Sequence, residues 1–332
     1  MNQKITLRHG DGGRHTGRLI HDIFYKHFHN DILNGYQDSA IFNIGRQRYA
    51  FTTDSFVVNP IFFKGGDIGK LAICGTVNDL AAAGALPLYL SAGFIIEEGF
   101  EIDKLDMISQ SMENICKDIG INIVAGDTKV LEKGHVDGVY INTSGIGKVH
   151  EEFIPREITQ GDEIILTGTI AEHGTSILID RLNLDLAGDF KSDCAPLTEI
   201  IKALDSNLSR VKLMRDPTRG GIATALCEIS ESHHIGAVIE EDKIPIRPSV
   251  AAVHELLGTD PLYFASEGRM IIIAEKGYGK SILEILKNTE SCKDAQIIGT
   301  FNEKYSKICL RTYIGGERIV SMLENQMISR IC

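Results

Sequence analysis

A predicted helix of small, apolar residues, followed directly by an apolar strand, is the feature that most constrains the fold of this chain. Residues 65–85 read GGDIGKLAICGTVNDLAAAGA, a pattern that predicts a helix with Asp67 as its N-cap. Residues 86–96, LPLYLSAGFII, predict a buried strand. Inside the helix Asp79 has small apolar neighbours, and an unpaired carboxylate there would be costly to bury. The segment predicts an α/β unit in which Asp79 is paired or binds a ligand.

Patterns on either side of this segment predict two blocks of mixed helices and strands. In the first block, residues 36–150, a strand ends at Asp54, a helix ends at Gly120, and INIVAGDTKV and VYINTSGIGKV read as strands. In the second block, residues 151–323, we predict helices near 174–183, 196–206 and 220–232, strands near 163–169, 236–241, 269–274 and 295–300, and a hairpin turning at Gly315–Gly316. The order is not a clean βαβα alternation, so we expect two α/β or α+β domains.

The two ends of the chain read differently from the blocks. Residues 1–35 hold a Gly-rich start and then a helical pattern, and the charged stretch at 150–160 marks the domain boundary. Residues 324–332 form a tail that we expect to be mobile and that ends in Cys332. Nine extended residues can reach roughly 30 Å.

Size and charge exclude several classes of protein. A length of 332 residues, with 43% hydrophobic and 24% charged residues, suits two globular domains. The net charge is −11 and no Lys/Arg-rich run occurs, so we expect no nucleic-acid partner. The N-terminus lacks the apolar core of a signal peptide, and the apolar run at 86–96 is too short to span a membrane.

The seven cysteines indicate a reducing compartment. They form no C-x-x-C pair and no cysteine–histidine spacing suited to zinc. We therefore interpret them as small buried residues of a cytoplasmic protein, with Cys332 the possible exception.

Carboxylates beside glycines and at element ends indicate a site for a hard cation. Asp54 follows a strand, Asp67 caps a helix, Asp79 lies in the apolar helix and Asp127 follows INIVAG. Mg²⁺ prefers oxygen ligands, and Lys129 adds a cation where a phosphate could sit. The alternative is that each aspartate only caps a helix or is paired in the core.

Three further stretches could contact an anion, although each has an ordinary structural explanation. HGDGGR at 9–14 is either a phosphate-covering lid or a disordered terminus. RDPTRGG at 215–221 places Thr218 before a helix, where it binds an anion or simply caps the helix. SEGR at 266–269 places Glu267 before an apolar strand, a position where most acids are solvated. No P-loop or G-x-G-x-x-G motif is present.

These stretches together resemble the HypE family of nickel–iron hydrogenase maturation proteins. The resemblance rests on HGDGGR, the long segment 51–99, GDTKV, RDPTRGGIATAL, DPLYFASEGR and the terminal Arg-Ile-Cys, and it covers essentially the whole chain. It implies a two-domain PurM-like fold, similar to aminoimidazole ribonucleotide synthetase. The N-terminal α/β domain would bind ATP and pair with its copy in a homodimer, and an α+β C-terminal domain and a flexible C-terminal tail would follow it.

The resemblance also implies a reaction and its partners. A carbamoyltransferase, HypF, would load a carbamoyl group onto the sulfur of Cys332. ATP-dependent dehydration would turn that group into a thiocyanate, and the cyano group would pass to iron held by a HypC–HypD complex. ATP and Mg²⁺ are the implied cofactors.

By the same resemblance we assign residues to roles. Cys332, Glu267 and His9 are the predicted catalytic residues, with Glu267 or His9 moving protons. The predicted metal ligands are Asp54, Asp79, Asp127 and Glu267. The predicted ATP-binding residues are Gly12, Gly13, Asp54, Asp67, Asn78, Asp79, Asp127, Thr128, Lys129 and Thr218.

Two other functions compete with this reading. One is another ATP-dependent small-molecule kinase or synthetase of the superfamily, such as selenophosphate synthetase, which would want a reactive Cys and a Lys that HGDGGR lacks. The other is a non-catalytic carrier of the carbamoyl or cyano group, which would have no use for a phosphate site.

Overall fold

The computed structural model describes residues 4–10, 12–33, 38–323 and 330–332. A short 3-10 helix, Leu7–Gly10, precedes a helical stretch made of α1 (Arg14–Leu19), a π-helical turn (Ile20–Tyr25) and α2 (Lys26–Phe28). The helical pattern predicted after the Gly-rich start is thus confirmed. Residues 324–329 of the predicted tail lie outside the described residues.

The first block forms a five-stranded sheet with two helices. Its elements are β1 (Ala40–Ile44), β2 (Gln47–Phe56), the hairpin β3 (Phe62–Phe63) and β4 (Gly66–Asp67), α3 (Ile68–Ala82), β5 (Ala85–Glu97), α4 (Ile102–Ile119), β6 (Asn122–Leu131) and β7 (Val139–Val149). The sheet order is β1-β2-β7-β5-β6, and only β5 and β6 run parallel. Strand β6 is an edge strand whose residues are all exposed.

The predicted apolar helix is α3. Asp67 caps it, because its Oδ1 accepts hydrogen bonds from the amides of Gly69 and Lys70 at 2.7 and 3.0 Å. Helix α3 contacts β2, β5 and β7 of the first sheet and also elements of the second block, which explains why nearly all its residues are buried. Helix α4 ends before Gly120, which adopts the left-handed conformation with φ 76° as predicted.

The second block forms a seven-stranded sheet with five helices. Its elements are β8 (Glu163–Leu166), α5 (Glu172–Leu182), α6 (Thr198–Leu204), β9 (Val211–Arg215), α7 (Gly221–His233), β10 (Gly236–Glu240), α8 (Pro248–Leu257), β11 (Ile271–Ala274), α9 (Gly279–Lys287), β12 (Gln296–Asn302), β13 (Ile308–Arg311) and β14 (Glu317–Ile319). The sheet order is β14-β13-β10-β12-β8-β11-β9.

The structure confirms the predicted elements of this block and adds three that were not predicted. The predicted hairpin is present, with β13 and β14 antiparallel and Arg311 opposite Glu317. Strand β9 and helices α8 and α9 are the additions. No helix in the described part of the chain is long and apolar enough to cross a membrane.

The two sheets share their hydrophobic packing. The largest buried cluster contains residues of both blocks, such as Phe56 and Leu71 from the first and Ile271 and Phe301 from the second. Ile331 of the C-terminus also belongs to this cluster. The candidate site lies where α3, the first sheet and the second block meet.

Candidate functional site

Four aspartates surround a small polar cavity between the two blocks. Asp38, Asp54, Asp79 and Asp216 line it together with Thr52, Thr218 and Arg219, and the cavity has a volume of about 220 Å³. Ordinary ligand pockets have about 300–1,000 Å³. The cavity is therefore suited to a small, charged group such as part of a phosphate chain.

The first sheet and α3 bring two of these aspartates together. Thr52 and Asp54 point to the same side of β2, because side chains alternate along a strand. The Thr52 hydroxyl donates a hydrogen bond of 2.7 Å to Asp79 Oδ2 near the end of α3. One turn earlier, Gly75 lets α3 approach the strand, since a Cβ atom there would lie 2.7 Å from the Phe56 ring. The small residues of this helix therefore permit the close approach.

Burial and mutual repulsion raise the pKa values of these carboxyl groups. Burial raises the pKa of Asp79 well above its usual range, and the charges of Asp216, Asp38 and Asp54 raise it further. Burial also raises the pKa of Asp216 to about 7, with the charge of Asp38 as the next cause. Such a cluster is relieved by a bound cation. Among the described residues, however, no three acidic, His or Cys side chains converge into a finished metal site.

Two arginines bring positive charge to the same cavity. The Arg215 Nε atom lies 2.8 Å from Asp38 Oδ1 and its second ion pair is with Glu228 at 2.7 Å. Arg219 forms no such pair in the described residues. Its pKa is raised chiefly by the charge of Cys332, with Asp54 and Glu267 as lesser causes. Arg219 is thus the cation that faces both the carboxylates and the terminal thiol.

The charges of Glu267 and Arg219 act on the terminal thiol. Burial raises the pKa of Cys332 well above its ordinary value, and the Glu267 carboxyl adds to this effect while Arg219 opposes it. Glu267 is itself buried, its Oε1 atom has no hydrogen-bond partner among the described residues, and burial raises its pKa well above the usual range. Cys332 and Glu267, two of the three predicted catalytic residues, thus interact electrostatically, and their catalytic roles stay predictions.

Contacts from both blocks hold the end of the chain in place. The Asn59 amide donates to the Arg330 carbonyl at 3.1 Å, and Arg181 donates to the same oxygen. The buried His173 ring lies 2.7 Å, at Nε2, from the Ile331 carbonyl oxygen. Its Nδ1 atom is 2.8 Å from Ser192 Oγ. Burial lowers the pKa of His173, so the neutral ring donates from Nε2 to the tail.

The Gly-rich N-terminal segment reaches the same region. A Cβ atom on Gly12 would lie 3.0 Å from Cβ of Arg219, and Gly13 is buried. Gly12 therefore lies against Arg219 and Thr218 lines the cavity, while the predicted ATP contacts of Gly12, Gly13 and Thr218 stay predictions. Among the described residues His9 hydrogen-bonds with Thr6 and its ring contacts His15, and its predicted catalytic role stays a prediction.

Residues 127–129 lie away from the cavity within one chain. Asp54 pairs with Thr143, Thr143 with Ala92, and Ala92 with Gly126. Three strand spacings separate β2 from β6, about 14 Å in all. Asp127, one residue further along, points to the opposite face of the sheet. The exposed Asp127 instead pairs with Lys129 at 2.8 Å, and this contact lowers its pKa.

Asp67 and Asn78, two other predicted cofactor contacts, have structural roles. Asp67 stands twelve residues before Asp79 on α3, about 18 Å along the helix axis. The buried Asn78 amide donates to the carbonyls of Ala195 and Glu267 at 3.1 and 3.0 Å and accepts from the Leu197 amide at 2.8 Å. Both amide hydrogens therefore tie α3 to the second block, and the predicted contacts of Asp67 and Asn78 with ATP stay predictions.

Sequence reasoning missed several residues of the site. They are Asp38, Asp216, Arg215, Arg219, His173 and Asp193. Asp216 and Arg219 lie in RDPTRGG, a stretch that was singled out for Thr218 alone. Asp38, His173 and Asp193 stand in no motif, so only the tertiary structure identifies them.

Comparisons with known proteins give consistent matches along the chain. Two family models match this chain. The model of the AIR synthase related protein, N-terminal domain, matches residues 36–149, and the model of its C-terminal domain matches residues 159–308. The carbamoyl dehydratase HypE of Rhizobium leguminosarum bv. viciae is 42% identical over 100% of this chain and 96% of its own length. A crystal structure of a HypE–HypF complex contains a chain 43% identical with a TM-score of 0.87, covering 92% of this chain and 99% of that one. A HypE crystal structure in complex with ATP is 39% identical with a TM-score of 0.83, covering 99% and 100%.

Proposed function

The chain belongs to the family of the carbamoyl dehydratase HypE, and we propose that it removes water, at the expense of ATP, from a carbamoyl group on the Cys332 sulfur. The predicted family and the two-domain PurM-like fold are confirmed by full-length matches. One observation of this chain carries the proposal. The charges of Glu267 and of Arg219, which lines the cavity together with Asp54 and Asp79, act on the Cys332 thiol.

The reaction that this arrangement supports balances in atoms and charge. The carbamoyl oxygen on Cys332 attacks the γ-phosphorus of ATP and ADP leaves. The bond from carbon to that oxygen then breaks, phosphate departs, and the nitrogen loses its two protons as the C≡N bond forms. One proton ends on the phosphate and the other is released. The products are a thiocyanate on Cys332, ADP and phosphate.

Different residues would stabilise the phosphoryl group and accept the protons in this reaction. Arg219, facing both Cys332 and Asp54, would stabilise the charge that develops on the transferred phosphoryl group. Glu267, whose charge acts on the thiol, would accept the nitrogen protons. A carboxylate whose pKa is raised is the stronger base once it ionises. His9 is the second candidate; among the described residues it hydrogen-bonds with Thr6 and its ring contacts His15.

The acidic cavity fits Mg²⁺ carried in with ATP. Mg²⁺ usually keeps several waters and binds one or two carboxylates together with substrate phosphates, which suits a cluster that is not a finished metal site by itself. Asp54 and Asp79 would hold it, with Asp38 and Asp216 close enough to share the charge. When bound, the ion would neutralise charge on the phosphates.

A homodimer would give β6 a partner. Ile123, Val124, Val130 and Leu131 on this edge strand are 38–64% exposed, and an exposed apolar edge strand invites pairing with another chain. We propose that a second copy pairs along β6. Asp127, Thr128 and Lys129 lie on this strand, so pairing would bring them against the partner rather than leave them in solvent.

The partners proposed for the carrier thiol follow from the family. A related HypE has been crystallised as a HypE–HypF complex, and we propose HypF as the carbamoyl donor and a HypC–HypD complex as the acceptor. We further propose the cytoplasm as the compartment, where thiols such as Cys332 stay reduced.

Mass spectrometry of the C-terminal peptide tests the proposal. The protein is incubated with the carbamoyltransferase and its substrates, with Mg²⁺-ATP or with Mg²⁺ alone. We expect a carbamoyl adduct on Cys332 that loses the mass of water only with ATP, no adduct in C332S, and an adduct that keeps its water in E267Q. Loading without loss of water in the wild type would indicate a mere carrier. Phosphorylation of a free small molecule by C332S would indicate a kinase.

A further inference from the structure

One buried carboxylate connects the two halves of the candidate site. Asp193 lies between α5 and α6, and its side chain is 0% exposed. Its Oδ1 atom accepts hydrogen bonds from the amides of His173 at 3.0 Å and Glu267 at 3.3 Å. Its Oδ2 atom accepts from the Gly268 amide at 3.3 Å and lies 3.8 Å from Arg269 Nε.

The hydrogen bond from the His173 amide connects Asp193 to the C-terminal tail. His173 follows the start of α5 and holds the Ile331 carbonyl through Nε2 at 2.7 Å. Its ring is set by Ser192, the neighbour of Asp193, at 2.8 Å. The backbone of His173 therefore rests on Asp193 and its ring on Ser192, so the segment 192–193 fixes the place at which the chain end docks.

The second contact leads to Glu267. Within the described ranges of the chain no hydrogen-bond partner holds the Glu267 Oε1 atom, so the position of this carboxyl depends on its backbone. Asp193 holds the amides of Glu267 and Gly268, while the Glu267 carbonyl accepts from Asn78 at 3.0 Å. Gly268 packs against Asp193 itself, because a Cβ atom there would lie 1.9 Å from the Asp193 carbonyl oxygen.

We propose that Asp193 is a positioning residue that fixes the docking place of the tail and the backbone of Glu267 in one arrangement, so that Cys332 arrives beside a correctly placed carboxyl group. The role of Glu267 rests on the proposed function, but the docking of the tail does not. Three backbone amides from two segments share one carboxylate, and charged acceptors form stronger hydrogen bonds than neutral ones.

The variant D193N keeps the shape of the side chain and removes this function. An amide has one acceptor oxygen, and its NH₂ group must face an N–H donor. We expect Cys332 to react with iodoacetamide about tenfold faster than in the wild type, as loss of a charged hydrogen bond shifts docking by roughly that factor. The matched control is D189N, since Asp189 is an exposed acid on the same segment that forms an ion pair with Lys191 at 3.4 Å.

The other cysteines separate positioning from general destabilisation. Cys74, Cys116, Cys194, Cys227, Cys292 and Cys309 are buried, whereas Cys332 is half-buried. Faster alkylation of Cys332 with the other six protected supports the proposal. The proposal is overturned if Cys332 is alkylated equally fast in D193N and the wild type. It is also overturned if all seven cysteines of D193N become reactive together. Should D193N not fold, D193S leaves one hydroxyl acceptor and carries the same expectation.

A second measurement tests whether Asp193 also positions Glu267. In D193N we expect transfer of the carbamoyl group onto Cys332 to be as fast as in the wild type or faster, and the following ATP-dependent loss of water to be at least tenfold slower. Unchanged dehydration in D193N would overturn the coupling to Glu267. If the wild type itself never dehydrates, the proposed function fails, whereas alkylation still decides whether Asp193 holds the tail.

Discussion

At the scale of single residues, the buried polar groups of this chain are of two kinds. Asn78 and His254 have every bonding atom used by a neighbour. Glu267 keeps an oxygen without a hydrogen-bond partner among the described residues, and Asp79 shares its cavity with three other aspartates. Buried groups of the first kind fix the fold, whereas leftover capacity in the second kind is available to a ligand.

His254 makes the unfolding free energy depend on pH. Burial lowers its pKa from 6.5 to about 4, while Thr175 and Thr259 contact its two nitrogens at 2.9 and 2.7 Å. The unfolded chain binds the proton first as the pH falls, so stability is complete above pH 6.5 and is lost toward pH 4. The full effect is about 3 kcal/mol.

Urea unfolding between pH 7.5 and 4.5 checks this expectation. H254Q should show a flatter loss of stability than the wild type across that range, whereas H29Q, at an exposed histidine, should keep the wild-type slope. Parallel profiles for H254Q and the wild type would show that His254 does not account for the acid sensitivity.

The sequence predicted some of these residues and not others for physical reasons. Asp79 stood out because a carboxylate among small apolar residues needs a partner. Asp38 and His173 carry no such local sign, since their importance comes from segments that meet only in the folded chain. Asn78 was predicted as a ligand of ATP from the family resemblance; its amide contacts residues of the second block, a pairing that no local pattern shows.

At the scale of elements, substitutions at the N-cap of helix α3 test whether Asp67 has a role beyond capping. D67A should lower the unfolding free energy by about 1 kcal/mol, because two amides lose their acceptor. D67S keeps a capping oxygen and removes the charge, so we expect wild-type stability. Given the distance from the cavity, we also expect unchanged ATP affinity in D67S by calorimetry. Weaker binding by a stable D67S would restore the predicted contact with phosphates.

Strand β6 makes a separate prediction about assembly. Val124 is 61% exposed on this edge, and lysine on an edge strand opposes pairing. V124K should therefore convert the proposed dimer into a monomer in sedimentation velocity. The control Y313K introduces the same charge at a side chain that is 80% exposed in the second block and should stay dimeric. A V124K dimer would place the interface elsewhere.

The missed elements show where patterns fail. Helix α8 starts with Pro248 at its first turn and ends before Gly258, with φ 64°, so its boundaries had ordinary signals but its periodicity was weak. Strand β9 has five residues and depends on pairing with β11. Long or strongly periodic elements such as α4 could be predicted because their patterns are local.

At the scale of the whole molecule, function depends on how the two blocks meet. Neither block contains the site alone, since Asp54 and Asp79 come from the first and Asp216 and Glu267 from the second. The terminal residues then dock across both. The sequence predicted a two-domain fold and a carrier thiol, Cys332, at the C-terminal end. The boundaries of the domains and the mobility of the tail stay predictions, because no local pattern determines them.

A substitution of Asn78 tests how much its hydrogen bonds between the two blocks stabilise the molecule. N78D keeps the acceptor for the Leu197 amide but turns a second oxygen toward the carbonyls of Ala195 and Glu267. We expect the unfolding free energy to fall by about 2–4 kcal/mol, since two buried acceptors lose their donor. The exposed Asn114 on α4 supplies the control N114D, which should change stability by less than about 0.5 kcal/mol.

The same variant decides between the predicted and the observed role of Asn78. Because both amide hydrogens tie the blocks together, N78D should bind ATP with wild-type affinity once it is measured well below its melting temperature. The Cys332 thiol should become more accessible, because a shifted Glu267 backbone disturbs the docked chain end. A stable N78D that binds ATP poorly would instead make Asn78 a ligand of the nucleotide, as first predicted.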